Sequence, residues 1–103
     1  MIELYQAEWC PHSHRVRQRL TELGLDVIMR QVAADPAERD ELARISAQRS
    51  IPTVVFDDGT VVSGEDRVIT ALDQRFPERS AAQAHREKAL EEWPEWLRLA
   101  ASA

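Results

Sequence analysis

The chain has 103 residues, 44% hydrophobic and 30% charged, with a formal net charge of -5, which fits one globular domain with a single modest core. That acidic balance argues against a general nucleic-acid binder and leaves no basic patch for anionic membranes, and no apolar run approaches the roughly 20 residues of a membrane span. One cysteine excludes an internal disulfide; with an N-terminus that lacks the basic-then-apolar layout of a signal peptide, it points to the cytoplasm.

Ile2 and Leu4 alternate with Glu3 and Tyr5, a short strand pattern that runs into Trp9-Cys10-Pro11-His12-Ser13. Pro11 suits the first position of a helix, where its missing N–H costs nothing. Val16, Leu20 and Leu23 follow at helical spacing with Arg15, Arg17 and Arg19 facing outward, and Gly24 is a ready stop. The apolar stretch from Leu25 to Val32 suits a buried strand. Asp35-Pro36-Ala37-Glu38 has the form of an N-cap with its reciprocal acid three residues on, opening a helix that buries Leu42 and Ile45.

Thr53–Phe56 and Thr60–Ser63 flank Asp57-Asp58-Gly59, a hairpin signal. A third helix starts at Gly64-Glu65-Asp66, carries Val68, Ile69, Leu72 and Phe76 on one face, and stops before Pro77. In residues 78–103, Ser80 can cap a polar helix running to about Trp93; Pro94 then breaks it, and Trp93, Trp96, Leu97 and Ala100 return at helical spacing to pack the tail onto the domain. The first two strands are expected parallel and the hairpin antiparallel in one mixed sheet, with helices on both faces.

Chemistry centres on Cys10. A thiol at a helix start meets unpaired backbone N–H groups and the positive end of the helix dipole, and both favour thiolate over thiol. The dipole contributes only about 0.3–1 kcal/mol, so the sulfur also needs hydrogen bonds from the N–H groups of His12 and Ser13 and from the Ser13 hydroxyl. Glu8 acts in the opposite direction if it lies close. The competing reading is a buried, inert cysteine. Ser13 can hydrogen-bond sulfur but cannot attack a mixed disulfide, so turnover needs a second thiol from solution. His12 and His14 can stabilise the thiolate or act as general acids, with an exposed helix residue the preferred reading of His14. Trp9 is read as an apolar wall near the sulfur, with a core role as the alternative. Zinc binding is poorly supported, because Cys10, His12 and His14 crowd one turn and no second ligand pair exists.

The element order and Cys10-Pro11-His12-Ser13 together resemble the thioredoxin fold in its glutaredoxin form, over residues 1–77, with 78–103 as a C-terminal helical extension. Gln48-Arg49-Ser50-Ile51-Pro52 is similar to the glutaredoxin segment that precedes a cis-proline. Ser63-Gly64-Glu65-Asp66 is similar to the stretch that holds the γ-glutamyl end of glutathione. Glu65-Asp66-Arg67-Val68-Ile69 also resembles a motif of the N-terminal domain of glutathione transferases. Two positions depart from the pattern. Ala7 and Glu8 stand where glutaredoxins carry a basic residue, and Pro11-His12-Ser13 stands where the iron–sulfur-carrying monothiol group has Gly-Phe-Ser.

The resemblance implies a four-stranded α/β fold and a monothiol, glutathione-dependent oxidoreductase. Cys10 and Ser13 would be its catalytic residues, and Pro11, His12, Arg49, Ile51, Pro52, Gly64, Glu65 and Asp66 would contact glutathione. A cis Ile51–Pro52 bond would present the Ile51 backbone for an extended peptide to pair with as an added strand. The N–H groups at Gly64–Asp66 would take the γ-glutamyl carboxylate and Asp66 its ammonium, plain helix capping being the alternative. Arg49 would meet the other carboxylate. Glutathione, or another low-molecular-weight thiol, enters as co-substrate rather than bound cofactor. The expected partners are glutathionylated proteins and small thiols, met by a monomer without metal, nucleic acid or membrane. The competing functions are a non-catalytic glutathione-binding or iron–sulfur carrier module and a protein similar to the transferase N-terminal domain.

Overall fold

The structure is a computed structural model that describes residues 1–95 together with 98 and 99. Strand β1 (Ile2–Gln6) leads into helix α1 (Pro11–Leu23), followed by β2 (Val27–Gln31), a 3-10 turn (Pro36–Glu38) and α2 (Asp40–Ser46). Strands β3 (Thr53–Val55) and β4 (Val61–Ser63) form the hairpin, and α3 (Glu65–Arg75) and α4 (Ala82–Glu92) complete the chain. Pro11 lies in the first turn of α1, and Gly24 ends that helix at φ 67°, its N–H closing on the Leu20 and Thr21 carbonyls. A left-handed residue there satisfies two carbonyls that the helix leaves open.

The sheet order is β2-β1-β3-β4. Strand β1 runs parallel to β2, with Leu4 opposite Met29, and antiparallel to β3, with Leu4 opposite Val54. The hairpin pairs Val54 with Val62. Alternation along the central strand turns Ile2 and Leu4 toward α1 and α3, where they join Val16, Leu20, Leu23, Val54, Phe56, Val68 and Leu72 in one buried cluster. Helix α2 covers the opposite face, and its Leu42 is fully buried. The four-stranded mixed sheet, layered by helices on both faces, is the expected thioredoxin-like architecture. Among the described residues, no helix is long and apolar enough to cross a membrane.

Three expectations are corrected. The Leu25–Val32 run is not a buried strand: β2 is an edge of the sheet, and every residue from Ile28 to Gln31 is exposed. Helix α2 has only two turns and leaves a cleft of about 660 Å³ bordered by Tyr5, Met29, Leu42 and Ile45 instead of sealing that edge. Asp35 caps the 3-10 turn rather than α2; its carboxylate accepts the Ala37 N–H at 2.9 Å. The helix restarts at Asp40 because buried Arg39 turns inward at φ -90°, ψ 57° and donates to the carbonyls of Ala33, Ala34 and Arg49. Ser80 does not cap α4, which begins after Ala81 without a side-chain cap and is anchored by buried Ala82. Its expected end at Trp93 before Pro94 is observed. Trp96, Leu97 and Ala100 lie outside the described residues.

Helix α4 packs on α1 through charge. The buried Glu22 carboxylate accepts from Arg19 at 2.7 Å and Arg86 at 3.2 Å, while Arg19 also reaches Asp73 at 2.8 Å and Glu78 at 3.0 Å. Arg86 closes the circuit onto Glu78.

Two outcomes follow from this division of labour. In denaturant unfolding, Leu72→Ala should cost about 2–5 kcal/mol as a cavity in a sealed core, whereas Ile28→Ala, on the edge strand and 39% exposed, should cost less than about 2 kcal/mol. Arg86 and then Arg19 hold the Glu78 carboxyl below its ordinary range. A depressed native value means that the carboxylate stabilises the fold above the unfolded value and loses that contribution as pH falls through the native one. Wild type should therefore melt above Glu78→Gln at pH 7, with the gap closing as pH drops below about 4.

Candidate functional site

The registers converge on one end of the sheet. Tyr5 lies opposite Thr53, and Thr53 opposite Ser63. Pro52 and Gly64 therefore stand level with the exit of β1, where the chain turns through Glu8 and Trp9 into α1. The Ile51–Pro52 bond is cis, as the resemblance implied. The Gly64 N–H donates to the Pro52 carbonyl at 2.9 Å, tying the start of α3 to this loop.

Cys10 is the N-cap of α1 and only 6% exposed. Its N–H donates to the Ala7 carbonyl at 3.1 Å, its carbonyl accepts the His14 N–H at 3.0 Å, and Sγ accepts the Ser13 N–H at 3.5 Å. The expected contact from the Ser13 hydroxyl is absent: that group is fully buried and makes no hydrogen bond. Leaving a buried hydroxyl unpaired costs about 1–3 kcal/mol. Pro11, in the first turn, is exposed beside the sulfur. Glu8 is drawn to Arg17 at 3.1 Å, so its charge meets a guanidinium rather than standing alone before the cysteine. The same arginine reaches the buried Gln6 amide, which bonds Gln31 at 2.9 Å. Trp9 is 64% exposed, which excludes the core role.

The first turns of α1 and α3 are joined directly. His12 Nδ1 lies 2.8 Å from one oxygen of Glu65, and Arg15 donates to the other. The Glu65 side chain is only 12% exposed, whereas Asp66 is open to solvent. Arg49 is exposed but engaged: it donates to the carbonyls of Pro36 and Ala37 at 3.1 Å and pairs with Asp40 at 3.2 Å. Composition and spacing gave no sign of two further residues. Gln48 Nε2 reaches Ser46, Ser50, Thr53 and Ser63, and Arg39 holds the loop before α2; each bridges segments whose approach only the folded chain creates.

His14 is not the exposed helix residue expected. Its ring packs edge-on with Trp93 at 4.7 Å, Arg17 approaches Nδ1 at 3.3 Å, and Nε2 is buried without a partner. Burial, and then the neighbouring Arg17, push its titration below the ordinary histidine value. Trp93 thus packs the tail on α1 as foreseen. Among the described residues, no group of three or more His, Cys, Asp or Glu side chains is placed to hold a metal ion.

Gly64 caps α3 at φ 98°, ψ 139°, with open space where a Cβ would stand. The obstacle to a side chain is therefore backbone conformation alone. Gly64→Ala should lower stability by about 1–3 kcal/mol in thermal or denaturant unfolding; a neutral result would show that the loop rearranges freely.

A glutaredoxin family model matches residues 2–62. In sequence, the chain is 29% identical over 75 residues to the uncharacterised glutaredoxin-like 8.6 kDa protein of the rubredoxin operon in Clostridium pasteurianum, covering 73% of this chain and 100% of that protein. It is 27% identical over 74 residues to glutaredoxin 3 of Escherichia coli, covering 72% and 87%. In fold, it superposes on glutathione S-transferase 1-6 from Anopheles dirus species B with a TM-score of 0.67 at 24% identity, over 77% of this chain and 38% of that one. A glutathione transferase family member from Pseudomonas fluorescens Pf-5 with bound glutathione gives 0.67 at 20% identity, over 87% and 49%. The chain spans less than half the length of these transferases, so the likeness to them is one of fold. The family match covers more than half of the sequence, from β1 to β4 and through the cysteine-bearing start of α1, and this chain belongs to the glutaredoxin family.

Proposed function

We propose that the protein reduces glutathione mixed disulfides through the single thiol of Cys10. The observation that carries this reading is the convergence of three backbone features at one sheet end: Cys10 at the start of α1, Pro52 before β3, and Gly64 at the start of α3. Membership of the glutaredoxin family supports thiol redox chemistry, and a fold neighbour with bound glutathione supports the choice of thiol.

Deprotonated Cys10 attacks the glutathione sulfur of a glutathionylated protein or small molecule and releases the target as a thiol. A second glutathione then attacks the Cys10–glutathione disulfide, leaving oxidised glutathione and free Cys10. As negative charge settles on Sγ it faces the Ser13 N–H, whereas the unpaired Ser13 hydroxyl reaches it only by changing its side-chain rotamer. Ser13 cannot supply a second sulfur, so the mixed disulfide waits for an external thiol.

Pro11, His12, Ile51 and Pro52 frame the sulfur side of the bound tripeptide. The N–H groups following Gly64 take its γ-glutamyl carboxylate and exposed Asp66 its ammonium. Glu65 is already held by His12 and Arg15, so it shapes this wall rather than taking the ammonium itself. Arg49 meets the glycyl carboxylate by giving up Asp40 for it, a cheap exchange at an exposed pair. In this reading residues 1–77 carry the reaction, residues 78–103 are an extension, and a lone reduced thiol suits the cytoplasm.

Mass spectrometry after exposure to a glutathione redox buffer tests the proposal. Wild type should gain one glutathione, Cys10→Ser none, and Ser13→Cys should instead lose two hydrogens by closing an internal disulfide one helical turn apart. Deglutathionylation activity retained in full by Cys10→Ser would refute it.

A further inference from the structure

We propose that His12, oriented by Glu65, is the general acid that protonates the leaving thiolate when Cys10 opens a mixed disulfide. This rests on the function proposed above and assigns a residue role within it. His12 is the second residue of α1, directly after Pro11, and its side chain is 67% exposed at the rim of the site. Nδ1 lies 2.8 Å from Glu65 Oε1, and the other Glu65 oxygen is fixed by Arg15. A carboxylate held in this way accepts the Nδ1–H, which assigns that tautomer and leaves Nε2 as the nitrogen that exchanges its proton with the site. Glu65 and Arg15 come from different helices, so the ring is oriented by tertiary structure rather than by its own helix.

The geometry of sulfur exchange places the need for an acid at that rim. Attack proceeds in line, so the leaving sulfur stands about 2 Å beyond the attacked one, on the side away from the nucleophile. Cys10 is buried at the helix start, so the leaving sulfur points outward to solvent, where the side chain of His12, two residues along, is exposed. The Cys10 thiolate gives its electron pair to the new S–S bond, and the pair of the broken bond passes to the leaving sulfur. That sulfur takes the proton from Nε2 of the imidazolium, which becomes neutral imidazole and is reprotonated by the buffer. No external oxidant or reductant enters this half-reaction.

The test is a leaving-group series with His12→Gln, using glutathione mixed disulfides of an alkyl thiol and of a nitro-substituted aromatic thiol. An acidic aromatic thiolate leaves without help, whereas a basic alkyl thiolate benefits from a proton. Any lost glutathione contact is common to the two disulfides, so the variant should lose about tenfold more in kcat/KM with the alkyl disulfide than with the aromatic one, a smaller effect than the usual ~10²-fold or more because thiolates are tolerable leaving groups. Glu65→Gln, which keeps an acceptor but removes the charge, should show the same selective loss. Alkylation of Cys10 by iodoacetamide, which releases iodide and needs no acid, should stay within about twofold in both variants and reports on folding at the same time.

Equal loss with both disulfides, or alkylation falling in parallel with exchange, would overturn the proposal: His12 would then serve glutathione binding alone, or the Cys10 sulfur itself. Should His12→Gln prove unstable, His12→Asn gives the same comparison. Failure of the underlying reading is separately visible, since exchange that survives Cys10→Ser indicts Cys10 whatever His12 does.

Discussion

Helix α1 is pressed onto the centre of the sheet by Val16 and Leu20, which share one sealed cluster with Leu4 of β1 and Val54 of β3. Each of these side chains is at most 4% exposed, and at about 1.5–3 kcal/mol apiece they outweigh any polar contact in the neighbourhood. Because the turn from β1 into α1 is only four residues long, fixing the helix on the sheet also fixes its first turn beside the ends of β1 and β3. Cys10 has no freedom left once that packing is made. The place of the sulfur is thus set by aliphatic packing further along the helix and sheet.

The loop opposite the sulfur is held by different means. Residues 47–52 contain no regular element, yet their polar groups are paired through two side chains. Gln48 joins Ser46, Thr53 and Ser63 across α2, β3 and β4, and Arg39 spends its guanidinium on the carbonyls of Ala33, Ala34 and Arg49. Backbone acceptors buried without ladder partners need such substitutes. The cis-proline loop is therefore cross-linked by hydrogen bonds without being a strand, and the Gly64–Pro52 bond joins it to the start of α3. The start of α3 is thus tied on one side to this loop and on the other, through Glu65, to His12 and Arg15 of α1.

Much of this was legible in the sequence because the signals are local. Pro11 and Gly24 bound α1, Asp57-Asp58-Gly59 marks the hairpin, and Gly64-Glu65 opens α3, since each is a backbone preference set by one or two residues. The misreadings share a cause as well. An apolar run from Leu25 to Val32 has the same composition whether a strand lies at the centre or at the edge of a sheet, and only the strand order decides. Asp35 was placed correctly as a cap but on the wrong element, because the inward turn of Arg39 depends on carbonyls six and ten residues away. The link between His12 and Glu65 spans 53 residues; no pattern of spacing announces it, and it exists only because α1 and α3 begin at the same end of the sheet.

The C-terminal helix shows how unequal the supports of α1 are. On its inner face the helix is held by burial; on its outer face α4 is attached by Arg19, Glu22, Glu78 and Arg86, with Trp93 resting on His14. The pairs to half-exposed Glu78 contribute about 0.2–1 kcal/mol each and weaken with salt, whereas those to the buried Glu22 carboxylate are screened less. A cleft of about 340 Å³ remains between α1, α3 and α4, bordered by Ile69, Leu90 and Trp93, so the apolar closure on this side is incomplete. The outer support is thus the weaker of the two, and loosening it leaves untouched the contacts among Leu4, Val16, Leu20 and Val54 that set the sulfur in place. The packing that places Cys10 therefore does not depend on α4.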